Sequence, residues 1–180
     1  MAVRVLCVVA DGVEETELVA PVDLLRRAGA EVVMATPNAE LEVTGKHGIR
    51  IGVDAQLQGL DAEGFEALLL PGGPAVMELR KEGRVAELAR SFALRGKLVA
   101  AICAAPLLLE DAGLLKGKRH TSHFSTYDEL TQAEREERVL LDGNVLTSRG
   151  AGTAVEFGLV MVRHLIGETE AQEVAAAIMA

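Results

Sequence analysis

The sequence is short of several residue types, and each shortage excludes something. Aromatic residues make up 3% of the 180 positions and there is no Trp, so a core has to be built from Val, Leu, Ile and Ala. Cysteine occurs twice, at Cys7 and Cys103, which is too few for a disulfide framework. Those two thiols and four scattered histidines show no zinc-ligand spacing, so no metal is expected, and no cofactor either. No apolar run reaches the roughly 18 residues of a membrane span. The chain opens directly on a strand-like run, without the charged and apolar regions of a signal peptide. Two free thiols in a reducing cytoplasm, away from membranes, is the expectation. Positive charge is also scarce, with 18 Lys and Arg against 27 Asp and Glu, a net charge of −9. Such a surface repels phosphate backbones, and the pair Arg26-Arg27 is too short to offset this, so nucleic acid is not an expected partner.

What is present is a globular balance of 49% hydrophobic and 25% charged residues in a length that suits one domain over residues 1–180. β-Branched runs alternate with Ala- and Leu-rich stretches, which predicts an α/β architecture with one layered sheet and helices on both faces. Residues 3–9, 31–36, 66–70 and 97–102 read as buried parallel strands. Leu18, Val22 and Leu25 share one helical face, interrupted at Pro21 and ended at Gly29 as a C-cap. The stretch 38–58 reads as short glycine-punctuated strands. A helix with Val85, Leu88, Ala89 and Phe92 on one face follows Pro71-Gly72-Gly73, and another spans 105–112. A hairpin joins 139–141 to 145–148. A last long helix is expected to begin with a capping box of Thr153 and Glu156.

Four features carry chemistry. Cys103 follows a buried strand and precedes a helix, among small residues. An elbow of this kind pushes a nucleophile out at the carboxyl edge of a sheet, and the helix N-terminus favours thiolate over thiol. The alternative is a small buried hydrophobe, which is the reading for Cys7 inside the first strand. Gly72 and Gly73 let backbone approach a ligand and offer N–H donors, which with the N–H of Ala104 suit an oxyanion hole; an ordinary strand-ending turn has the same composition. Glu14, Glu15 and Glu17 follow the first strand. One of them, if protonated, can donate to the sulfur, or all are simply acids at a helix N-terminus. His123 lies twenty residues beyond Cys103 and suits proton transfer, with His120 as a competitor.

Together these features resemble the DJ-one/ThiJ/PfpI superfamily, in particular the branch of the parkinsonism-associated deglycase. The resemblance runs through Asp11 to Glu17, Pro21 to Gly29, Leu70 to Gly73, Ala101 to Ala104, and Leu146 to Gly150 with Gly152-Thr153. It implies a flavodoxin-like three-layer sandwich, mostly parallel, usually in a homodimer with Asp23 and Arg27 near the contact and Arg149 close to the site. It implies Cys103 as the elbow cysteine, Glu17 as the protonated glutamate on the thiolate, His123 as the nearby histidine, and Gly73 and Ala104 as backbone donors. The family's usual Cys-Ala-Gly-Pro reads Cys103-Ala104-Ala105-Pro106 here, and Gly52 stands where animal relatives carry an accessory cysteine. Ala104 replaces the His that follows the cysteine in the protease-like branch. Phe124 and Ser125 after His123 do not fit class I glutamine amidotransferases.

The activity implied is a cofactor-independent glyoxalase or deglycase on a small aldehyde or glycated substrate. The alternative is an oxidative-stress sensor or redox-regulated chaperone working through oxidation of Cys103. An acyl or amide hydrolase is a third reading, without a full triad.

Overall fold

In the computed structural model, which describes residues 2–180, a seven-stranded sheet carries the fold. The first strands and helix are β1 (Arg4–Val8), α1 (Glu15–Arg27) and β2 (Glu31–Thr36). A two-stranded antiparallel hairpin follows, β3 (Glu42–Thr44) and β4 (Arg50–Gly52), then the short β5 (Ala55–Gln56). Next come β6 (Ala67–Leu70), α2 (Ala75–Glu82), α3 (Arg84–Leu94), β7 (Leu98–Ile102) and α4 (Pro106–Asp111). The chain closes with β8 (Val139–Asp142), β9 (Val145–Ser148), α5 (Ala154–Leu165) and α6 (Glu168–Ala177).

The order across the sheet is β5-β2-β1-β6-β7-β9-β8, parallel except for β8, which pairs antiparallel with β9. From β1 the chain first winds one way, to β2 and β5, and then the other, to β6 and β7. The winding reverses between β1 and β6, and the crevice at such a reversal, beyond the carboxyl ends of the strands, is where open α/β sheets bind ligands. Every residue of β6 and β7 is buried, as expected of central parallel strands covered on both faces. On one side α1 packs on α5 and α5 on α6; on the other, α2, α3 and α4 pack together. The α/β sandwich is the expected one.

Three local expectations need correction. The helical stretch after Gly73 is two helices broken at Gly83, because α2 buries only Ala75, Val76 and Leu79 and its pattern runs into that of α3. A further helix, α6, follows α5; its sequence is Ala- and Glu-rich and buries just Ala171 and Val174, so its periodicity is faint. The capping box at Thr153 does not form. The Thr153 hydroxyl instead bonds Ser148 Oγ at 2.6 Å and donates to the Gly150 carbonyl at 2.8 Å, and Glu156 pairs with Arg138 at 2.8 Å.

Pro21 sits inside α1, where its missing N–H leaves one step of the hydrogen-bond ladder open. It is buried against α5 at Gly158, where a Cβ would lie 2.9 Å from Pro21 Cα and 2.7 Å from Leu24 Cδ1. Gly158→Val therefore forces α1 and α5 apart and should lower stability by about 1–3 kcal/mol, the usual cost of overpacking. Urea denaturation checks this; an unchanged midpoint would show that the helix pair has slack.

Candidate active site

The parallel strands deliver the chemistry to one edge. Beyond the carboxyl end of β1 lies the first turn of α1, beyond β6 lie Gly72 and Gly73, beyond β7 lies Cys103, and beyond β9 lie Arg149 and Gly150. Cys103 has φ +65°, in the left-handed region that a non-glycine residue rarely adopts and that costs about 1–3 kcal/mol. The turn is held on both sides: Cys103 N–H donates to the Ser148 carbonyl and His123 N–H donates to the Cys103 carbonyl, both at 2.9 Å. The elbow anticipated from small neighbours is present, with the thiol half-buried. Ala105 is fully buried at φ −62°, a conformation alanine adopts freely, so its methyl is absorbed in the core.

The three acids after β1 separate into three roles. Glu14 is the N-cap of α1, its Oε2 accepting from Glu17 N–H at 2.8 Å. Glu15 is buried and reaches the β3–β4 hairpin, accepting from His47 N–H at 2.8 Å. Glu17, 1% exposed, is the one that faces Cys103. Its Oε2 accepts from Gly72 N–H at 3.1 Å, and the Ala151 N–H also hydrogen-bonds its carboxyl. Gly72 makes the approach possible: a Cβ there would lie 2.4 Å from Glu17 Oε2 and 2.7 Å from Cys103 Cβ. Gly73, at φ +93°, leaves no room either, since a Cβ would meet Glu14 N and Gly12 O at 2.5 Å. The backbone N–H groups of Gly73 and Ala104 lie on the sulfur side of Cys103 and favour its anion.

The protonation pattern differs from the simple expectation of a depressed thiol pKa. Burial lifts Glu17 to about 7 despite hydrogen bonds from Cys103, Gly72 and Ala151 that pull the other way. Burial, followed by the charge and hydrogen bond of Glu17, pushes the Cys103 thiol up to about 12. The amides of Ala104 and Gly73 lower it, as anticipated, but by less. Two acids in one desolvated space cannot both ionise readily, so they titrate as a pair. A proton on the carboxyl removes the opposing charge and turns the contact into a donor bond to sulfur. Cys7, by contrast, lies wholly buried in β1, where burial drives its thiol far up, and is a core residue as expected.

His123 lies beside the elbow. Its Nδ1 accepts from Ser125 N–H at 3.3 Å and lies 2.8 Å from Ser125 Oγ, which leaves the ring hydrogen on Nε2. Burial and then the charge of Lys46 hold its pKa below the ordinary imidazole value. A Cβ on Gly150 would lie 3.5 Å from His123 Cδ2, 3.7 Å from Glu17 Oε1 and 3.9 Å from Cys103 Sγ, so Gly150 is the point around which all three converge. Gly150 appears in the sequence only as part of the stretch Leu146 to Gly150, because nothing in the sequence reveals what a glycine just beyond β9 faces. His120 is not part of this group; it is buried, with Nδ1 3.0 Å from the Lys118 carbonyl. A cavity of about 450 Å³ opens alongside, lined by His123, Phe124, Tyr127, Arg138, Arg149 and Gly150. Phe124 stands exposed at its rim, its ring centroid 4.0 Å from that of His123.

Comparison with known proteins fits this geometry. The sequence pattern of the DJ-1/PfpI family matches residues 3–164. The chain is 37% identical to the Drosophila melanogaster protein dj-1beta over 99% of its own length and 98% of that protein. It is 36% identical to the Arabidopsis thaliana DJ-1 homolog B over 98% of its length, but spans only 41% of that relative. A Pyrococcus abyssi protein named as a deglycase is 37% identical over 83% of this chain and 91% of that protein. Among solved structures, the Drosophila DJ-1beta crystal structure superposes with a TM-score of 0.95 at 36% identity, covering 100% of this chain and 99% of that one. Oxidised Toxoplasma gondii DJ-1 gives 0.92 at 32% identity, covering 99% and 98%.

The raised Glu17 pKa has a stability consequence with a definite sign. Between the ordinary value of 4.5 and about 7 the folded chain holds a proton at Glu17 that the unfolded chain has lost. The contribution is fully present below about 4.5 and is lost as the pH rises through about 7, by on the order of 2–3 kcal/mol. Glu17→Gln stays neutral throughout, so the wild-type stability minus that of the variant should fall across this window. Urea melts of both proteins at a series of pH values measure it; a difference that does not vary with pH would contradict a buried, proton-holding carboxyl.

Proposed function

The chain belongs to the DJ-1/PfpI family, and on that premise we propose that it is a cofactor-independent enzyme of the glyoxalase or deglycase type, using the Cys103 thiolate on reactive dicarbonyls such as methylglyoxal. The observation that carries this reading is the contact of the elbow sulfur with a buried carboxyl whose pKa is about 7. Relatives named as deglycases, 36–37% identical, support an enzyme of this kind.

The steps follow from the shared proton. Transfer from sulfur to Glu17 yields a thiolate beside a neutral carboxyl. The sulfur attacks the aldehyde carbon, a C–S bond forms, and the carbonyl oxygen takes the Glu17 proton to give a hemithioacetal. N–H groups at Gly73 and Ala104 steady the charge that develops on oxygen. Glu17, now a carboxylate, removes the proton from the hemithioacetal carbon and returns it to the neighbouring carbon, while the hydroxyl proton of the first carbon passes to the oxygen of the second, with His123 as a relay. The product is a thioester of a 2-hydroxy acid. Water cleaves the C–S bond, releasing lactate from methylglyoxal and restoring the thiol. The net reaction adds one water and needs no external oxidant or reductant.

A second reading has its own support. Amides at Gly73 and Ala104 with a neutral Glu17 could also hold the oxygens of a sulfinate at Cys103, and one relative was crystallised in an oxidised state. Lactate formation from methylglyoxal and intact mass after peroxide titration separate the two. Turnover that falls at least a thousandfold in Cys103→Ala, and at least tenfold in Glu17→Gln, supports the enzyme. Lactate output that persists in Cys103→Ala refutes it, and a selective gain of two oxygens without wild-type turnover favours the sensor.

A further inference from the structure

We propose that Glu14, Glu15 and His47 form a site for a divalent transition-metal ion of the zinc type, separate from the Cys103 chemistry. One ligand atom from each residue lies within 4.8 Å of the others. The set is mixed, two carboxylates and an imidazole, which suits zinc-like ions better than calcium or magnesium. The donors converge from distant parts of the chain: the glutamates begin α1, and His47 lies on the turn between β3 and β4.

Glu15 is held in place before any ion arrives. Glu15 is 6% exposed, and its Oε1 accepts from the N–H groups of His47 at 2.8 Å and Ile49 at 3.4 Å. The hairpin turn is shaped around this carboxylate, since a Cβ on Gly45 would lie 2.3 Å from the same oxygen. Glu15 Oε2 is left facing His47 Nδ1 at 3.1 Å. That is close to the separation of neighbouring ligands around an ion held at about 2.1 Å from each. Glu14 accepts from Glu17 N–H through Oε2 and contributes one carboxylate oxygen within 4.8 Å of the other ligand atoms. An ion would replace the hydrogen shared by Nδ1 and Oε2, that proton passing to solvent, and water would fill the remaining positions. Two carboxylates on a chain of net charge −9 favour a dication electrostatically.

Equilibrium dialysis against Zn²⁺, using the full chain carrying Cys103→Ser so that the thiol cannot compete, tests the assignment. The expected result is one Zn²⁺ per chain, with affinity reduced at least tenfold by His47→Gln. His47 is exposed, so this change leaves the fold in place, as circular dichroism would verify. Glu14→Gln, whose amide oxygen still caps α1, should weaken binding at least tenfold and gives a second reading. Zn²⁺ should also raise the melting temperature of the Cys103→Ser chain but not of its His47→Gln derivative. Absence of zinc binding by the Cys103→Ser chain, or an affinity left unchanged by His47→Gln and by Glu14→Gln, would overturn the proposal. Neither result would bear on the aldehyde chemistry of Cys103.

Discussion

A carboxyl buried against a thiol is the constraint on which the site depends. Glu17 enters the space beside Cys103 because Gly72 has no side chain, and it stays because the Gly72 and Ala151 amides bond it. Neither acid ionises easily there, so one proton serves both. The usual route to a reactive cysteine lowers the thiol pKa with positive charge. On the proposed reading the sulfur becomes a nucleophile by handing its proton to a neighbour whose pKa burial has raised to about 7. Reactivity is thus tied to geometry more than to the average electrostatics of an acidic chain.

The sheet topology is what assembles the pair. β1, β6 and β7 lie side by side, all parallel, with the winding reversal between the first two. Residues at positions 17, 72 and 103 therefore leave the same edge of the sheet within reach of each other. Loop-to-loop hydrogen bonds tighten the edge: Glu14 N–H donates to the Gly72 carbonyl at 3.1 Å, and Ala75 N–H to the Gly12 carbonyl at 3.3 Å. The strain at Cys103 is borne by anchors to Ser148 and His123 on either side, both main-chain groups of well-packed segments.

Much of this was legible in the sequence, and the remainder has physical reasons for being hidden. Cys103 could be picked out because a fully apolar strand stops at it and small residues follow. The hairpin around Gly143 and the buried strands β6 and β7 were equally plain. The choice of Glu17 among three acids was not readable from pattern alone, because Glu14, Glu15 and Glu17 share one turn and differ only in which way the helix turns them; resemblance made that choice. The direction of the thiol pKa was missed because it depends on how deeply the sulfur and carboxyl are buried together, which linear spacing does not encode. The break between α2 and α3, and α6 itself, escaped because these helices bury few residues. Spacing rules also could not bring Glu15 to His47, since a hairpin and a helix have to meet first.

The two cysteines differ in accessibility. Cys7 is sealed in β1, while Cys103 is half-buried at the carboxyl edge of the sheet. An electrophilic dye therefore has one attachment point on a folded molecule and two on an unfolded one. The ratio of dye to protein counts the folded fraction directly, with no engineered label, and an optical probe placed this way reports from the carboxyl edge of the sheet.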